Sequence, residues 1–271
     1  MFHPIRKIYY ALPVQLRFLC RRLLYLPLDL LTYTNRKKKI LPPAGLLFIG
    51  SGDFELTGNR FAQRLKQYAN LHSGSRVLDI GCGIGRLARP LTGILQPPGT
   101  YKGFDVVKTG IDWCNKNIAV RYPHFEFAHV SLSNDLYNNQ GENAAEFIFP
   151  YTNNSFTVIA AISVYTHLLP HETKRYLAET ARVMESGGIA FFTFFIHDEQ
   201  TQLPRNFDFP VKLDGYALMD ERVSRANVLY NRSFLFEMIA QQGLEIKEWV
   251  RGRWIDPLGT DLQDTLVLTK K

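Results

Sequence analysis

The chain is poor in the features that would give it away cheaply. It has three cysteines in 271 residues, Cys20, Cys82 and Cys114, too few and too widely spaced for a disulfide scaffold or a thiolate metal cluster. That usage suits a reducing compartment, and a cytoplasmic chain is expected. Long apolar runs are missing: the longest charge-free stretch within the leucine-rich residues 12–31, 23–28, is far short of a membrane span. Pro4 and Pro13 interrupt that region ahead of its arginines, and no small-residue cleavage site follows, which argues against a secretory signal. There is no Gly-Lys-Ser/Thr to grip a triphosphate, and no Gly-x-Gly-x-x-Gly, because Arg86 stands where the third glycine would fall. A nicotinamide dehydrogenase is opposed on that spacing.

Acid is scarce at one end. Residues 1–41 hold nine Lys/Arg (Arg6, Lys7, Arg17, Arg21, Arg22, Arg36, Lys37, Lys38, Lys39) against the single acid Asp29, a net of +8. The remaining residues carry 23 basic and 24 acidic side chains, so the overall +7 belongs to the leader and the body is neutral. That distribution disfavours nucleic acid as partner of the body. Arginines among leucines, followed by Arg36-Lys37-Lys38-Lys39, fit an interfacial helix on an anionic membrane. A helix packed on the domain or on a second subunit, as in a homodimer, and a lid over a site are the other readings of the same pattern.

What is present centres on Val77-Leu78-Asp79-Ile80-Gly81-Cys82-Gly83-Ile84-Gly85-Arg86-Leu87. A short apolar strand ends in a carboxylate, three alternate glycines turn the chain, and a helix is expected from Arg86. Such a turn lets a ligand approach bare backbone, and an acid at the strand end repels phosphate. Twenty-six residues on, Tyr101-Lys102-Gly103-Phe104-Asp105 reads as a second strand with a terminal carboxylate able to accept both hydroxyls of a ribose.

This constellation resembles class I S-adenosylmethionine-dependent methyltransferases, whose first motif is a hydrophobic strand, an acidic residue and Gly-x-Gly-x-Gly. The resemblance covers 72–196 firmly and 233–269 loosely. It implies an α/β fold, a doubly wound, seven-stranded, mostly parallel sheet, with S-adenosylmethionine held across the strand ends. The cofactor-binding residues it implies are Asp79, Gly81, Cys82, Gly83, Gly85, Asp105, Val106, Ser131, Leu132 and Ser163. An acid commonly meets the adenine amine where this chain has Ser131; Asp135 or a backbone carbonyl is the expected substitute. Val106 and Val107 are expected under the adenine.

The rest of the chain divides accordingly. Pro42-Pro43 separates the 1–41 extension from a catalytic domain over 42–271. A helix is expected from Phe61 to Leu71, with Asp53 and Phe54 in a preceding loop facing substrate. Further helices are expected over 111–120, 170–184 and 233–242. Strands are expected at 125–130, 156–163, 189–196, 244–250 and 264–268, the last two as an antiparallel hairpin. Residues 136–155 read as a polar surface excursion, and 199–230, without clear periodicity, as a substrate-covering insertion. Tyr165, Phe207, Tyr216 and Trp254 are expected to line an acceptor pocket.

Transfer of a sulfonium methyl to a hydroxyl needs a group to take the proton. His167, after the fourth strand, and His197 with Asp198, after the fifth, are the candidate catalytic residues; both histidines also have a purely structural reading. His197, Asp198 and Glu199 are contiguous and cannot all face one ion on a strand, so no metal is expected. The acceptor is expected to be a small molecule, a glycan or a lipid. The alternatives are a non-catalytic cofactor-binding scaffold, an aminopropyl-type transferase, and methylation of RNA or protein.

Overall fold

The computed structural model describes residues 13–48, 52–133, 141–198, 202–204 and 207–270. Asn134, Asp135 and Glu199 lie outside the described residues. The strands are β1 (Arg76–Ile80), β2 (Thr100–Asp105), β3 (Phe125–His129), β4 (Phe156–Ala161), β5 (Met184–His197), β6 (Val211–Leu213), β7 (Tyr216–Leu218), β8 (Val228–Asn231), β9 (Leu244–Val250) and β10 (Asp264–Lys270). The helices are α1 (Val14–Lys38), α2 (Phe54–Tyr68), α3 (Ala88–Leu91), α4 (Lys108–Cys114), α5 (Pro170–Val183) and α6 (Arg232–Gln241).

Seven strands run in the order β3-β2-β1-β4-β5-β10-β9, parallel up to β5, with β10 and β9 antiparallel beyond it. The central strands are apolar on both sides because both sides are covered. Leu78, Ile80, Phe104, Ile159 and Phe192 pack under α5 and α6 through Leu177, Val183, Leu235 and Ile239. Val77, Tyr101, Val158 and Phe191 pack on the opposite layer with Phe61 and Leu65 of α2, Leu91 of α3 and Cys114 of α4. Each such side chain taken fully from water contributes about 1.5–3 kcal/mol before chain entropy is set against it. The five parallel strands deliver their carboxyl ends to one rim, where β1 carries Asp79 just before its last residue, Ile80, and β2 ends in Asp105.

Several boundaries depart from the sequence reading. α2 begins two turns earlier than expected: Asp53 is its N-cap, accepting from the Leu56 amide at 2.7 Å, and Phe54 is buried. Neither lines the cavity at the sheet's carboxyl rim; the Asp-x-x-x pattern before an apolar periodicity was the cap signal. The helix after the glycine turn is only the single turn α3. β5 starts at Met184, directly where α5 ends, rather than after Gly187-Gly188. Residues 199–230 hold three short strands, β6, β7 and β8, with β8 pairing in parallel with the last residues of β5 and extending the sheet to ten strands. Strands of three or four residues are too short to show a period, which is why they read as irregular.

The β9–β10 hairpin is pinned by a fully buried acid. Asp264 accepts from the Ile196 and Gly252 amides, both at 2.9 Å, and from Trp254 Nε1 at 2.6 Å. Trp254 therefore belongs to a small core with Phe195, Phe207 and Phe209. It does not line an acceptor pocket, and nor does Phe207. Tyr165 is buried as well, stacked on Phe194 with ring centroids 4.7 Å apart.

Candidate functional site

A cavity of about 500 Å³ opens at the carboxyl rim of the sheet, within the range of small-molecule sites. Its floor is Asp79, Ile80, Gly81 and Cys82 from the β1 turn with Asp105, Val106 and Val107 from the end of β2. Ser163, Val164 and His167 after β4, Thr193 of β5 and Gln263 before β10 form one wall. Thr57, Arg60 and Phe61 of α2 and Arg17 and Phe18 of α1 stand on the other side.

The glycine turn is required by the protein before any ligand is considered. Gly81 and Gly85 have φ of +68° and +78°, which L side chains rarely adopt. A Cβ on Gly81 would meet Val164 Cγ2 at 2.5 Å, and one on Gly85 would meet Ile118 Cδ1 at 2.9 Å. The turn is tied to β2: the Gly81 and Cys82 amides donate to the Phe104 carbonyl at 2.9 and 3.0 Å, and the Gly83 amide donates to Asp105 Oδ2 at 2.8 Å. Asp105 Oδ1 accepts from the Val107 amide at 2.8 Å, so its carboxylate is held rigidly on the cavity floor, 8% exposed.

Both floor acids are out of their ordinary range. Burial pushes the Asp79 carboxyl up to about 7, a rise that the Tyr101 hydroxyl donating at 2.6 Å limits and the charge of Asp105 reinforces. Asp105 is raised to about 6, again by burial, with the Val107 and Gly83 amides working the other way. A buried, partly protonated acid pair is a poor seat for phosphate and a good one for a cation beside vicinal hydroxyls. The residues present thus fit the nucleoside and sulfonium of S-adenosylmethionine.

The opposite wall is polar and cross-braced. Gln263 Oε1 accepts from Ser163 Oγ at 3.0 Å and Thr193 Oγ1 at 2.7 Å, while the Ser163 amide donates to Thr193 Oγ1 at 2.7 Å. Ser163 itself sits at φ +58°, a strained backbone held by those bonds. Carbonyl oxygens only accept, so the 2.8 Å contact of His167 Nδ1 with the Arg225 carbonyl makes Nδ1 the protonated nitrogen and Nε2 the basic one in the neutral ring. Arg225 is fixed in turn by its guanidinium on Glu172 at 2.7 Å, and Glu172 caps α5 through the Leu169 amide at 2.7 Å. The insertion thereby reaches the cavity by orienting a histidine.

Of the residues expected from sequence, Asp79, Gly81, Cys82, Asp105, Val106, Ser163 and His167 line this one cavity. Gly83 and Gly85 support it from behind. Ser131 is exposed and Leu132 is buried in a bridge to Glu142; neither lines the cavity, where Val130 stands instead. His197 and Asp198 are also away from it, Asp198 in an ion pair with Arg232 at 3.0 Å. Tyr216 lies off the cavity in β7. Among the described residues no set of three or more His, Cys, Asp or Glu is arranged to hold a metal ion.

Sequence reasoning missed Arg17, Arg60, Asp261 and Gln263. Arg60 and Arg64, four apart on α2, reach Asp261 at 2.9 and 3.3 Å and so latch the β9–β10 loop over the cavity. The i,i+4 arginines were a legible sign of one charged helix face, but their acid is 197 residues from Arg64 and no local pattern names it.

Comparison with known proteins agrees with this geometry. Residues 78–192 match the family model described as a methyltransferase domain. Over 147 residues the chain is 32% identical to the phthiotriol/phenolphthiotriol dimycocerosates methyltransferase of Mycobacterium leprae (strain TN), covering 54% of this chain and 47% of that protein. It is 29% identical over 127 residues to the ubiquinone biosynthesis O-methyltransferase of Bradyrhizobium sp. (strain ORS 278), covering 47% and 42%. The chain thus spans under half the length of the curated relatives it matches. The crystal structure of a SAM-dependent methyltransferase from Methanosarcina mazei shares the fold, with a TM-score of 0.52 at 20% identity over 76% of this chain and 96% of that one. The glycine turn and both floor acids fall within the matched residues, so 78–192 is a methyltransferase domain of the S-adenosylmethionine-dependent kind, whose cofactor is S-adenosylmethionine.

Proposed function

We propose that this chain transfers the methyl group of S-adenosylmethionine to an oxygen of a small-molecule, sugar or lipid acceptor, by in-line displacement. The cofactor supplies a methyl already activated on a sulfonium. What the chain must add is a place for the acceptor and a destination for its proton. The observation that carries the reading is His167, whose Nδ1 is committed to the Arg225 carbonyl while the ring lines the same cavity as Asp105. A neutral imidazole with Nε2 as its base suits a hydroxyl acceptor, which must lose a proton; a thioether or tertiary amine would need none. The names of the two relatives support this reading, the Bradyrhizobium protein as an O-methyltransferase and the Mycobacterium protein as a dimycocerosates methyltransferase.

In this reading Asp105 accepts from the ribose hydroxyls, with Val106 and Ile80 as apolar neighbours of the base. Asp79 and the Gly81 backbone serve the amino-acid end. Ser163, Thr193 and Gln263 orient the acceptor. His197 and Asp198 have no part in it.

Calorimetric titration with S-adenosylmethionine, S-adenosylhomocysteine and NAD is the direct test. Binding of the first two without the third is expected. Asp105→Ala should weaken cofactor binding by about 1–3 kcal/mol, roughly 5–150-fold in Kd, because charge-assisted bonds to the ribose are lost. An unchanged Kd would remove the ribose assignment. Tight cofactor binding with no methyl transfer to glycan, phenolic or lipid acceptors would favour a scaffold over an enzyme.

A further inference from the structure

Helix α1 is built inside out. Phe18, Arg21, Tyr25, Asp29, Thr32 and Arg36 recur at three- and four-residue spacing and form its half-buried face. That face sets Arg21, Asp29, Thr32 and Arg36 beside the aromatics Phe18 and Tyr25 and is fixed by polar bonds: Asp29 accepts from the Ala44 and Gly45 amides at 2.5 and 2.9 Å, and Arg36 donates to the Pro42 carbonyl at 2.6 Å. The apolar face is turned outward instead. Leu16, Leu19, Leu23, Leu24, Leu30 and Leu31 are exposed, Leu24 and Leu31 to 76% and 86%. Nine of the fifteen exposed large apolar side chains among the described residues lie on this one helix, so the patch is a feature of α1 and not of the surface at large.

We infer that this face is a docking surface for an anionic lipid bilayer. A helix that already satisfies its polar side against its own domain has its leucines left to bury elsewhere, and an interfacial helix buries such a face at the boundary of headgroups and acyl chains. The charge decides the occupant. Arg22, Lys37 and Lys38 are exposed around and beyond the leucines, in a segment of net +8. An anionic surface complements that charge, whereas a second copy of the chain would bring another +8 against it. No described helix is long and apolar enough to cross a membrane, so the contact lies in the plane of the interface.

The placement has a consequence for the cavity, which rests on the methyl-transfer reading. Arg17 and Phe18, on the first turns of α1, line the cavity, while Leu16 and Leu19 beside them face outward. Docking by α1 therefore sets the cavity one helix diameter, about 10 Å, from the bilayer, which gives an acceptor carried by a lipid a short path to it.

Co-sedimentation of the full chain with phosphatidylcholine vesicles, with and without phosphatidylglycerol, tests the docking alone. Pelleting is expected with the anionic vesicles and not with the neutral ones, and should weaken at high salt. The variant Leu23→Glu/Leu24→Glu/Leu31→Glu should lower binding at least about tenfold, and Lys37→Glu/Lys38→Glu should weaken it while leaving calorimetric cofactor binding unchanged. All five positions are exposed, so retained cofactor affinity certifies the fold. Equal pelleting of variants and parent, or no pelleting with anionic vesicles, overturns the proposal. Dimers in sedimentation velocity that the leucine variant splits would assign the face to a second copy and also overturn it. Vesicle binding is scored without turnover, so failure of the methyl-transfer reading would show separately.

Discussion

His167→Ala is expected to lower kcat by about 10²–10³-fold, some 3–4 kcal/mol of transition-state stabilisation, with the cofactor Kd moved by less than about threefold. The split follows from the chain's own bonds. His167 Nδ1 bonds the Arg225 carbonyl, whereas Asp79, Asp105 and the glycine turn are held by Tyr101, the Gly83 and Val107 amides and the Phe104 carbonyl, so loss of the ring leaves them as they were. A purely structural histidine would behave otherwise: removing it would loosen the Arg225 segment and raise KM and Kd together. His167→Gln sharpens the comparison, because the amide can still donate to the Arg225 carbonyl but offers no base. If Gln restores stability and not turnover, the proton-accepting role stands. The pH–rate profile gives a second readout, since the acid limb of kcat should disappear in both variants. A kcat within about threefold of the parent would remove His167 from the chemistry.

The parts of this site that were legible in the sequence are those written locally. Asp79, the three glycines and Asp105 each sit at the end of a short apolar strand, where a period and a breaker announce them. The seven-stranded sheet was implied by the resemblance those runs carry, and its strands stand close to where they were expected, β5 starting five residues early at Met184. What stayed hidden depends on chain segments meeting across the fold. Nothing near His167 names Arg225 as the residue that fixes its tautomer, and nothing near Arg60 names Asp261. His197 looked equivalent to His167 because both follow central strands. But β5 runs fourteen residues and carries His197 beyond the cavity rim to pair with Asn231 of β8, whereas β4 stops at Ala161 and leaves its exit in the cavity. Strand length, which no alternation pattern sets, decided between them. The aromatics followed the same logic. Trp254 is spent on Asp264 and Tyr165 on Phe194, partners that lie on other strands.

The buried acids predict an unusual pH response. Asp79 is 3% exposed and its carboxyl is raised from 3.8 to about 7, chiefly by burial. The folded state therefore keeps a proton that the unfolded chain releases, and the folded state binds more protons across the interval between the two values. Stability from this group is fully present below about pH 4 and is lost as the pH rises through about 7. The gap between about 7 and 3.8 corresponds to about 4 kcal/mol at its limit, of which roughly 2–3 kcal/mol falls between pH 5 and 8. Asp105, raised to about 6, acts in the same direction, and the two do not simply add because each charge opposes the other. The cofactor-free protein should consequently be less stable to urea at pH 8 than at pH 5. Asp79→Asn should flatten that difference and match or exceed the parent at pH 8, since an amide oxygen can still accept from Tyr101 and carries no charge to desolvate. The same variant should bind S-adenosylmethionine more weakly, because the cationic ammonium at the cofactor's amino-acid end favours the ionised acid; in the parent, affinity should rise from pH 5.5 to 8 as stability falls. The acid is then kept for the ligand and against the fold, as strained or desolvated groups at binding sites commonly are. Stability curves for parent and Asp79→Asn that run parallel across this range would show that Asp79 does not titrate there, and would take the coupling with them.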